Sequence, residues 1–269
     1  MMRVNAAGVS LLHRPGYGTR MPLVLLHGIG SNAQSWALTL ARLDPAVNAY
    51  AWDAPGYGLS DPFDVAAPAP EDYAARLEQV LDTLGLGRIV LVGHSLGALF
   101  ACRFAASRPA RVAALTLLSP ALGYKVAPGE ALPAKVQARI DDLDRLGPME
   151  FAQKRAGNLL FRPETKPELL ASAQAAMAAV HPAGYAQAVH ALGSGDLLGD
   201  AARVEAVSAV GTGAEDTVTP PANAAAVHAA LRCQIPVMTV PDAGHALPLE
   251  APAQVAALLG RMVLGATHG

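Results

Sequence analysis

Cysteine is almost absent from this sequence. Its 269 residues include two, Cys102 and Cys233, and both stand among apolar neighbours. Apolar surroundings favour buried free thiols, which are typical of proteins from reducing compartments. We therefore expect two buried thiols and a cytoplasmic protein.

Long apolar runs and an excess of positive charge are also missing. No apolar stretch approaches the ~18 residues of a membrane-spanning helix. The first residues, MMRVNAAGVS, lack the charged-then-apolar pattern of a signal peptide. Charged residues make up 16% of the chain and the formal net charge is −2, so no basic surface points to nucleic acid. The expected partner is a small-molecule substrate, with no nucleic acid and no membrane.

The motifs of common metal and cofactor sites are missing as well. The sequence contains no H-E-x-x-H, no Cys/His cluster with zinc spacing and no G-x-x-x-x-G-K-[ST] phosphate loop. The stretch GTGAED (residues 211–216) begins like a dinucleotide-binding loop but lacks the third glycine. We expect neither a metal nor a cofactor.

Hydrophobic residues are abundant. They form 52% of the chain, which indicates a folded protein long enough to bury a sizeable core. Short apolar runs alternate with amphipathic stretches, and this alternation predicts an α/β fold: a mainly parallel sheet with helices on both faces. In the first half, the predicted strands are Val9–His13, Pro22–Gly28, Val47–Gly58 (which ends in a Pro/Gly loop), Arg88–Gly93 and Arg111–Pro120, and the predicted helices are Ser35–Leu43, Glu71–Gly85 and Leu96–Arg108.

The alternation stops between residues 121 and 200. Four consecutive stretches there predict helices separated by proline and glycine, and none predicts a strand. Strands and helices alternate again from residue 201 onward. We therefore expect an α/β core from residues 1–120 and 201–269, with a helical cap (lid) of residues 121–200 inserted in it and folded over the sheet.

One serine stands between two glycines where a predicted strand meets a predicted helix. The stretch GHSLG, from Gly93 to Gly97, fits G-x-S-x-G in the strand–turn–helix context that this motif needs. A sharp turn forces the serine into strained backbone geometry, and the glycines remove side chains that would collide. The start of the helix adds backbone N–H groups beside the hydroxyl. Ser95 is therefore the candidate nucleophile, although a serine in a tight glycine turn would show the same pattern.

A serine hydroxyl needs a base, and the base needs an orienting carboxylate. Of eight histidines, His245 follows a late predicted strand at the carboxyl end of the sheet, where ligands gather. Asp216 follows the preceding strand, which gives the chain order Ser95, Asp216, His245.

Three other carboxylates are weaker candidates. Glu215 is adjacent to Asp216 and could be confused with it. Asp53 precedes the serine and is expected to bond loop N–H groups, and Asp242 is too close in sequence to His245.

Two backbone N–H donors should meet the negative charge that acyl transfer builds on a carbonyl oxygen. Leu96, directly after the nucleophile, supplies one. The loop LLHGIGSNAQSW (residues 25–36) supplies the other, and Ile29 is the natural donor because only its backbone is needed. We expect His27 to hold this loop in place and not to take part in the chemistry.

Aromatic and basic side chains are candidates for contact with substrate. Five aromatic residues could line a pocket under the cap, although such residues are more often plain core: Trp36, Tyr57, Phe151, Phe161 and Tyr185. Lys154, Arg155 and Arg162 could bind a substrate carboxylate, but solvated helix faces are their commoner role. We assign none of these residues to the site.

Five motifs resemble those of the α/β-hydrolase superfamily, over nearly the full length of the chain. They are HGIGSN (27–32), DAPGYGLSD (53–61), GHSLG (93–97), GAEDTVTPP (213–221) and GHALPLE (244–250). They resemble the small capped enzymes that include carboxylesterases, 3-oxoadipate enol-lactonases, cofactor-free haloperoxidases and C–C bond hydrolases. The resemblance implies an eight-stranded sheet, a helical cap and no cofactor.

A few positions distinguish the chain from parts of that superfamily. C–C bond hydrolases usually carry a tryptophan directly after the catalytic histidine, where this chain has Ala246. Epoxide hydrolases and haloalkane dehalogenases carry an aspartate in place of Ser95. Hydroxynitrile lyases carry a threonine and a lysine around the site, which Ile29 and Ala246 of this chain do not match. The strand before Asp216, VSAVGT, has fewer bulky apolar residues than is usual.

The sequence therefore predicts a serine hydrolase that cleaves a small carboxylic ester or lactone through an acyl-enzyme on Ser95. His245 would be the general base, Asp216 would orient it, and the Ile29 and Leu96 amides would form the oxyanion hole. Two alternatives stay open: C–C bond hydrolysis of a vinylogous diketone, and a ligand-sensing receptor with little turnover. The acyl and alcohol groups and the oligomeric state cannot be read from the sequence.

Overall fold

Within the residues that the structure describes, 1–18, 20–232 and 235–268, eight strands form one sheet. The structure is a computed structural model. The strands, in chain order, are β1 (Met2–Ala6), β2 (Val9–Arg14), β3 (Leu23–Leu26), β4 (Ala49–Trp52), β5 (Ile89–His94), β6 (Val112–Leu118), β7 (Val207–Gly213) and β8 (Met238–Val240).

The sheet is mainly parallel, as predicted. Its strand order is β1-β2-β4-β3-β5-β6-β7-β8. Strand β2 runs antiparallel to β1 and β4, and the remaining neighbours pair in parallel. Because the parallel strands end at the same edge, the loops that follow β3, β5, β7 and β8 come together there. Those loops carry the candidate site residues.

Helices cover the sheet. In the described chain they are α1 (Ala37–Leu40), α2 (Pro70–Thr83), α3 (Leu96–Ser107), α4 (Ala134–Arg155), α5 (Pro167–Ala178), α6 (Pro182–Ser194), α7 (Leu197–Ala201), α8 (Pro221–Ala230), α9 (Leu247–Glu250) and α10 (Pro252–His268). None of the helices in the described ranges is long and apolar enough to cross a membrane.

Both faces of the central strands are buried. In β3, Val24 and Leu26 join one cluster of apolar side chains, whereas Leu23 and Leu25 join the other. This alternation follows from the two-residue period of a strand. The first cluster includes residues of α2 to α7, and the second includes residues of α1 and α10. Burial on both sides explains why β3 is apolar without a break.

The sequence missed some elements and misjudged the ends of others. Strand β1 was not predicted, because its residues MRVNA are mostly exposed and lie at the edge of the sheet. The predicted helix Ser35–Leu43 is a short 3₁₀ turn (Ala33–Trp36) followed by α1. The sequence also predicts a strand from the run QIPVMTV (residues 234–240), of which only Met238–Val240 form β8. Gln234 of this run and the preceding Cys233 lie outside the described residues.

Between β6 and β7 the described chain contains helices α4 to α7 and no strand, as predicted. Gly147, with φ 69°, interrupts α4 and is followed by Pro148. A proline cannot continue the hydrogen-bond ladder of a helix. The break therefore separates α4 into the two helical segments that the sequence predicts on either side of residue 147.

Candidate active site

Ser95 lies at the turn between β5 and α3. Its backbone has φ 54° and ψ −116°, a strained conformation for a residue with a Cβ. A Cβ on Gly93 would lie 2.2 Å from the carbonyl oxygen of Gly97, and one on Gly97 would lie 2.3 Å from that of Leu26. These contacts are with backbone, which cannot give way. The turn therefore needs glycine at both positions.

A cavity of about 550 Å³ opens beside Ser95. Because β5 lies between β3 and β6, the serine is near the middle of the edge where the parallel strands end. His245 lines the same cavity. The structure thus brings the predicted nucleophile and the predicted base to one space.

Asp216 and His245 meet although 29 residues separate them. Asp216 follows β7, and His245 follows β8, which pairs with β7 in parallel. The distance from His245 Nδ1 to Asp216 Oδ2 is 2.9 Å. The other carboxylate oxygen, Oδ1, accepts hydrogen bonds from the backbone N–H groups of Val218 (2.9 Å) and Thr219 (2.8 Å). The carboxylate is fixed from both sides and faces the imidazole.

The environment keeps Asp216 ionised. Burial alone would raise the pKa of this carboxyl, but its neighbours reverse the effect. The hydrogen bond and charge of His245, the Thr219 amide and the Ser119 hydroxyl lower the pKa of Asp216 to about 2. At neutral pH the carboxylate is therefore negative and can stabilise a protonated imidazole.

Thr219 is a third group at this pair, and sequence reasoning missed it. Its hydroxyl lies 3.1 Å from His245 Nδ1 and 3.0 Å from Asp216 Oδ2. It also lies 2.9 Å from the carbonyl oxygen of Ser119, to which it can donate its one proton. The sequence feature that could have indicated Thr219 is its position three residues after the candidate acid, within the same turn.

His94, the residue before the nucleophile, holds the loop that carries the candidate base. Its Nε2–H donates to the backbone carbonyl oxygen of His245 over 2.8 Å. The residue is buried, and this burial lowers the pKa of His94 to about 3. His94 is therefore a neutral hydrogen-bond donor at ordinary pH.

His27 connects the loop after β3 to the loop after β4, as the sequence predicts. Its Nε2 accepts from the backbone N–H of Ala54 (2.9 Å), so Nδ1 carries the proton and donates to the Gly28 carbonyl oxygen (2.8 Å). Burial lowers the pKa of His27 and favours this neutral form. Asp53 also has the predicted role, since its Oδ1 accepts from the N–H of Ala33 at 2.8 Å.

The loop after β3 packs directly against the serine. A Cβ on Gly28 would lie 2.9 Å from the Cβ of Ser95. Ile29 and Leu96 both line the cavity. Neither of their backbone amides donates a hydrogen bond to an acceptor in the described parts of the chain. Both N–H groups are therefore available to a ligand beside Ser95.

The aromatic candidates divide between the cavity and the core. Phe151 and Tyr185 line the cavity, and their rings pack edge to face with centroids 5.4 Å apart. Trp36 and Tyr57 belong to the buried core. The Phe161 ring instead lies against the side chains of Arg162 and Lys166.

The basic candidates also differ in whether they line the cavity. Arg155 lines the cavity, whereas Lys154 pairs with Glu150 on the surface (2.7 Å) and Arg162 lies over an aromatic ring. Two further cations of α4 line the cavity, and the sequence did not single them out: Lys135 and Arg139. Their spacing of four residues, which places both on one helix face, was the signal that could have found them.

No group of three or more His, Cys, Asp or Glu side chains that could hold a metal ion occurs among the described residues.

Comparison with known proteins identifies the family to which the chain belongs. A family model described as the alpha/beta hydrolase family matches residues 23–258. A 2-hydroxy-6-oxononadienedioate/2-hydroxy-6-oxononatrienedioate hydrolase of Burkholderia vietnamiensis is 44% identical over 106 residues, which cover 38% of this chain and 36% of that protein. A (lyso)-N-acylphosphatidylethanolamine lipase of Mus musculus is 31% identical over 144 residues, covering 50% of this chain and 42% of the relative. The matched segments thus span less than half of these curated relatives.

Solved structures resemble the whole chain. A thermophilic esterase from Thermogutta terrifontis, with malate bound, has a TM-score of 0.85 and 23% identity and covers 99% of each chain. An enol-lactonase from Burkholderia xenovorans LB400 has a TM-score of 0.85 and 21% identity and covers 98% of this chain and 100% of its own. At these identities the likeness shows the fold alone.

Proposed function

From the premise that this chain belongs to the alpha/beta hydrolase family, we propose that it is a serine hydrolase that cleaves a small carboxylic ester or lactone. One observation carries the proposal. Ser95, on its strained turn, shares a cavity with His245, whose Nδ1 lies 2.9 Å from Asp216 Oδ2. Nucleophile, base and orienting acid in this arrangement are the parts of an acyl-transfer site.

The reaction would proceed through an acyl-enzyme. Nε2 of His245 takes the hydroxyl proton while Ser95 Oγ attacks the ester carbonyl carbon, and the Ile29 and Leu96 amides stabilise the resulting oxyanion. When the tetrahedral intermediate collapses, the C–O bond breaks and the alcohol leaves with the proton from His245. A water molecule then repeats the sequence on the acyl-enzyme and releases the acid. Asp216 holds the imidazole and balances its charge throughout.

In this proposal the inserted helices act as a cap. Residues 1–120 and 201–269 form the core that carries the chemistry, and residues 121–200 cover it. Support comes from the cavity wall, to which helices α4, α5 and α6 contribute Phe151, Met177 and Tyr185. The buried free thiol of Cys102 fits the cytoplasmic location that we propose.

The residue after the candidate base favours ester or lactone cleavage. Ala246 lines a second cavity, of about 220 Å³, which also contacts Ile29 and His245. An alanine leaves this space open for part of an ester or lactone, where C–C bond hydrolases usually carry tryptophan. A second candidate, C–C bond hydrolysis, is favoured by the 44% identity over 106 residues to a relative named for that reaction.

Ser95→Ala tests the nucleophile. Wild-type protein should react covalently with a fluorophosphonate probe at Ser95, and the variant should lose labelling and at least about 10³-fold in turnover of a p-nitrophenyl ester. Ser107→Ala, an exposed serine at the end of the same helix, should keep both. Full turnover by a folded Ser95→Ala protein would overturn the proposal.

A substrate panel tests the reaction class. It contains short p-nitrophenyl esters, several lactones, an enol-lactone and a vinylogous 1,5-diketone. Ester or lactone turnover well above that of the diketone supports the proposal. Rapid cleavage of the diketone with negligible ester turnover would replace it with C–C bond hydrolysis.

A further inference from the structure

The cavity beside Ser95 is lined by positive charge without matching negative charge. Three cations of α4 contribute to its wall: Lys135, Arg139 and Arg155. None of the described residues that line it is an aspartate or a glutamate. Since the whole chain has a formal net charge of −2, this excess of positive charge is local.

Arg155 already has a carboxylate partner. Its Nη2 lies 2.6 Å from Oδ2 of Asp142, and its guanidinium lies over the Phe151 ring at 5.0 Å from the ring centre. Arg155 therefore has an acidic partner outside the cavity wall, which it shares with Arg145.

Lys135 and Arg139 have no such partner. Neither forms an ion pair with any residue in the described ranges, although Asp142 and Asp196 pair with other cations nearby. The Lys135 ammonium lies 4.8 Å from the centre of the Tyr124 ring, which also lines the cavity. The half-buried Arg139 and the exposed Lys135 thus lack a carboxylate partner among the described residues.

Their spacing makes this pair unfavourable without a ligand. Lys135 and Arg139 are four residues apart, so they lie on the same face of α4, one turn apart. Like charges at this spacing destabilise a helix. Lys135 is also in the first turn, where the helix dipole disfavours a cation. An anion between the two side chains would remove both penalties.

Arg139 is held against the inner wall. Burial raises the pKa of the Tyr185 hydroxyl, and the nearby Arg139 guanidinium opposes that rise. Tyr185 is itself buried and packs on Phe151. Arg139 is a half-buried residue whose guanidinium lies beside this phenol, so it can meet a ligand in the cavity.

We propose that Arg139, together with Lys135, binds a carboxylate of the substrate, so that the natural substrate is an ester or lactone that also carries a free carboxylate. This inference rests on the proposed function, because it places the carboxylate in the cavity where Ser95 would act. A guanidinium binds a carboxylate through two parallel hydrogen bonds, and the ammonium adds a second positive charge. The volume of about 550 Å³ suits a small molecule of this kind.

Matched substrates test the proposal in the active protein. The mono-p-nitrophenyl ester of glutaric acid carries a carboxylate, and p-nitrophenyl valerate is its neutral counterpart of similar length. Arg139→Gln should lower the ratio of kcat/KM for the charged ester to that for the neutral ester by about 10- to 100-fold, mainly through KM, since the variant loses a charge-assisted hydrogen bond to the carboxylate. Arg139→Lys should restore part of this ratio. Arg145→Gln, on the same helix but paired with Asp142, should leave it unchanged.

Binding to the Ser95→Ala protein separates this proposal from the proposed function. Calorimetry should show that glutarate binds, that dimethyl glutarate does not, and that Arg139→Gln in the same background weakens glutarate binding by about 10-fold or more. If the ratio of kcat/KM for the charged ester to that for the neutral ester is the same in wild type and in Arg139→Gln, the carboxylate site is overturned. Tighter binding of glycerol phosphate than of glutarate would also overturn it and would make the anion a phosphate. Full turnover by Ser95→Ala would reject only the proposed nucleophile, and loss of glutarate binding in Arg139→Gln would still support the carboxylate site because that measurement does not depend on turnover.

Discussion

Thr219 connects the candidate acid, the candidate base and the chain beyond the nucleophile. Its hydroxyl is within 3.1 Å of His245 Nδ1, Asp216 Oδ2 and the Ser119 carbonyl oxygen. For acyl transfer, Nδ1 must keep its proton so that the Nε2 lone pair stays free for the serine. Because the Thr219 hydroxyl donates its one proton to the Ser119 carbonyl oxygen, its oxygen can accept from Nδ1–H, which favours this tautomer.

We predict that Thr219→Val lowers kcat by about 3- to 10-fold with little change in KM, because it removes one hydrogen bond of ordinary strength while keeping side-chain shape. Steady-state kinetics on a p-nitrophenyl ester measures this. Thr116→Val is the matched control, since Thr116 is buried in β6 and its hydroxyl has no partner among the described residues. If both variants keep full kcat, Thr219 does not position the imidazole.

At the scale of elements, helix α6 is fastened to the loop after β4. A Cβ on Gly184 would lie 2.0 Å from the carbonyl oxygen of Gly56, so the two backbones touch. The Gln187 side chain donates to the carbonyl oxygens of Phe63 and Val65, both at 2.8 Å. Tyr185, which lines the cavity, lies between these two anchor points. The contact between α6 and the loop therefore sets the position of one cavity wall.

Gly184→Ala should displace α6, because a methyl group there meets backbone that cannot move aside. We expect a loss of about 1–3 kcal/mol in the free energy of unfolding, the usual cost of overpacking, and an altered KM for esters. Denaturant unfolding and kinetics measure the two effects.

Gly260→Ala is the control for that substitution. Gly260 lies in α10, where an added Cβ meets nothing within 4 Å. Alanine there should leave stability unchanged or raise it by about 0.5–1 kcal/mol, since glycine is unfavourable within a helix. If Gly184→Ala keeps the wild-type stability and the wild-type KM, the contact between α6 and the loop tolerates a side chain and the prediction is wrong.

At the scale of the whole molecule, buried histidines make stability depend on pH. The pKa of His94 is about 3 in the folded protein and ~6.5 in an unfolded chain. Between these values the unfolded state binds the proton and the folded state does not, so stability falls as pH falls through this window. His27, whose pKa is also lowered by burial, acts in the same direction. The lowered pKa of Asp216 adds a loss at lower pH, as its carboxylate gains a proton.

We predict that the free energy of unfolding decreases by about 2 kcal/mol from pH 7 to pH 5 on account of His94 alone. In His94→Gln, whose amide can still donate to the His245 carbonyl oxygen, the decrease over this range should be smaller by that amount. Urea unfolding at the two pH values measures it. His181→Gln, at an exposed histidine, should keep the wild-type difference, and an equal decrease in His94→Gln would contradict the prediction.

The sequence by itself determined the features that depend on neighbouring residues. The turn around Ser95 could be predicted because an apolar strand, two glycines and an apolar helix follow one another within a few residues, and backbone sterics act at that range. The mainly parallel sheet followed from the alternation of apolar runs, and the helical insertion followed from its interruption. Strand β1 escaped prediction, because an exposed edge strand needs no apolar pattern.

Only the tertiary structure decided which side chains of distant elements meet. Thr219 approaches His245 because β7 and β8 pair and end together, a contact that no local pattern indicates. The basic residues of α4 all resemble solvated residues in the sequence, yet Lys135 and Arg139 line the cavity while Lys154 lies on the surface. The face of α4 that covers the core is selected by the burial of Val136, Leu143 and Phe151. Since that burial depends on the surface beneath the helix, the direction of each cation is a property of packing.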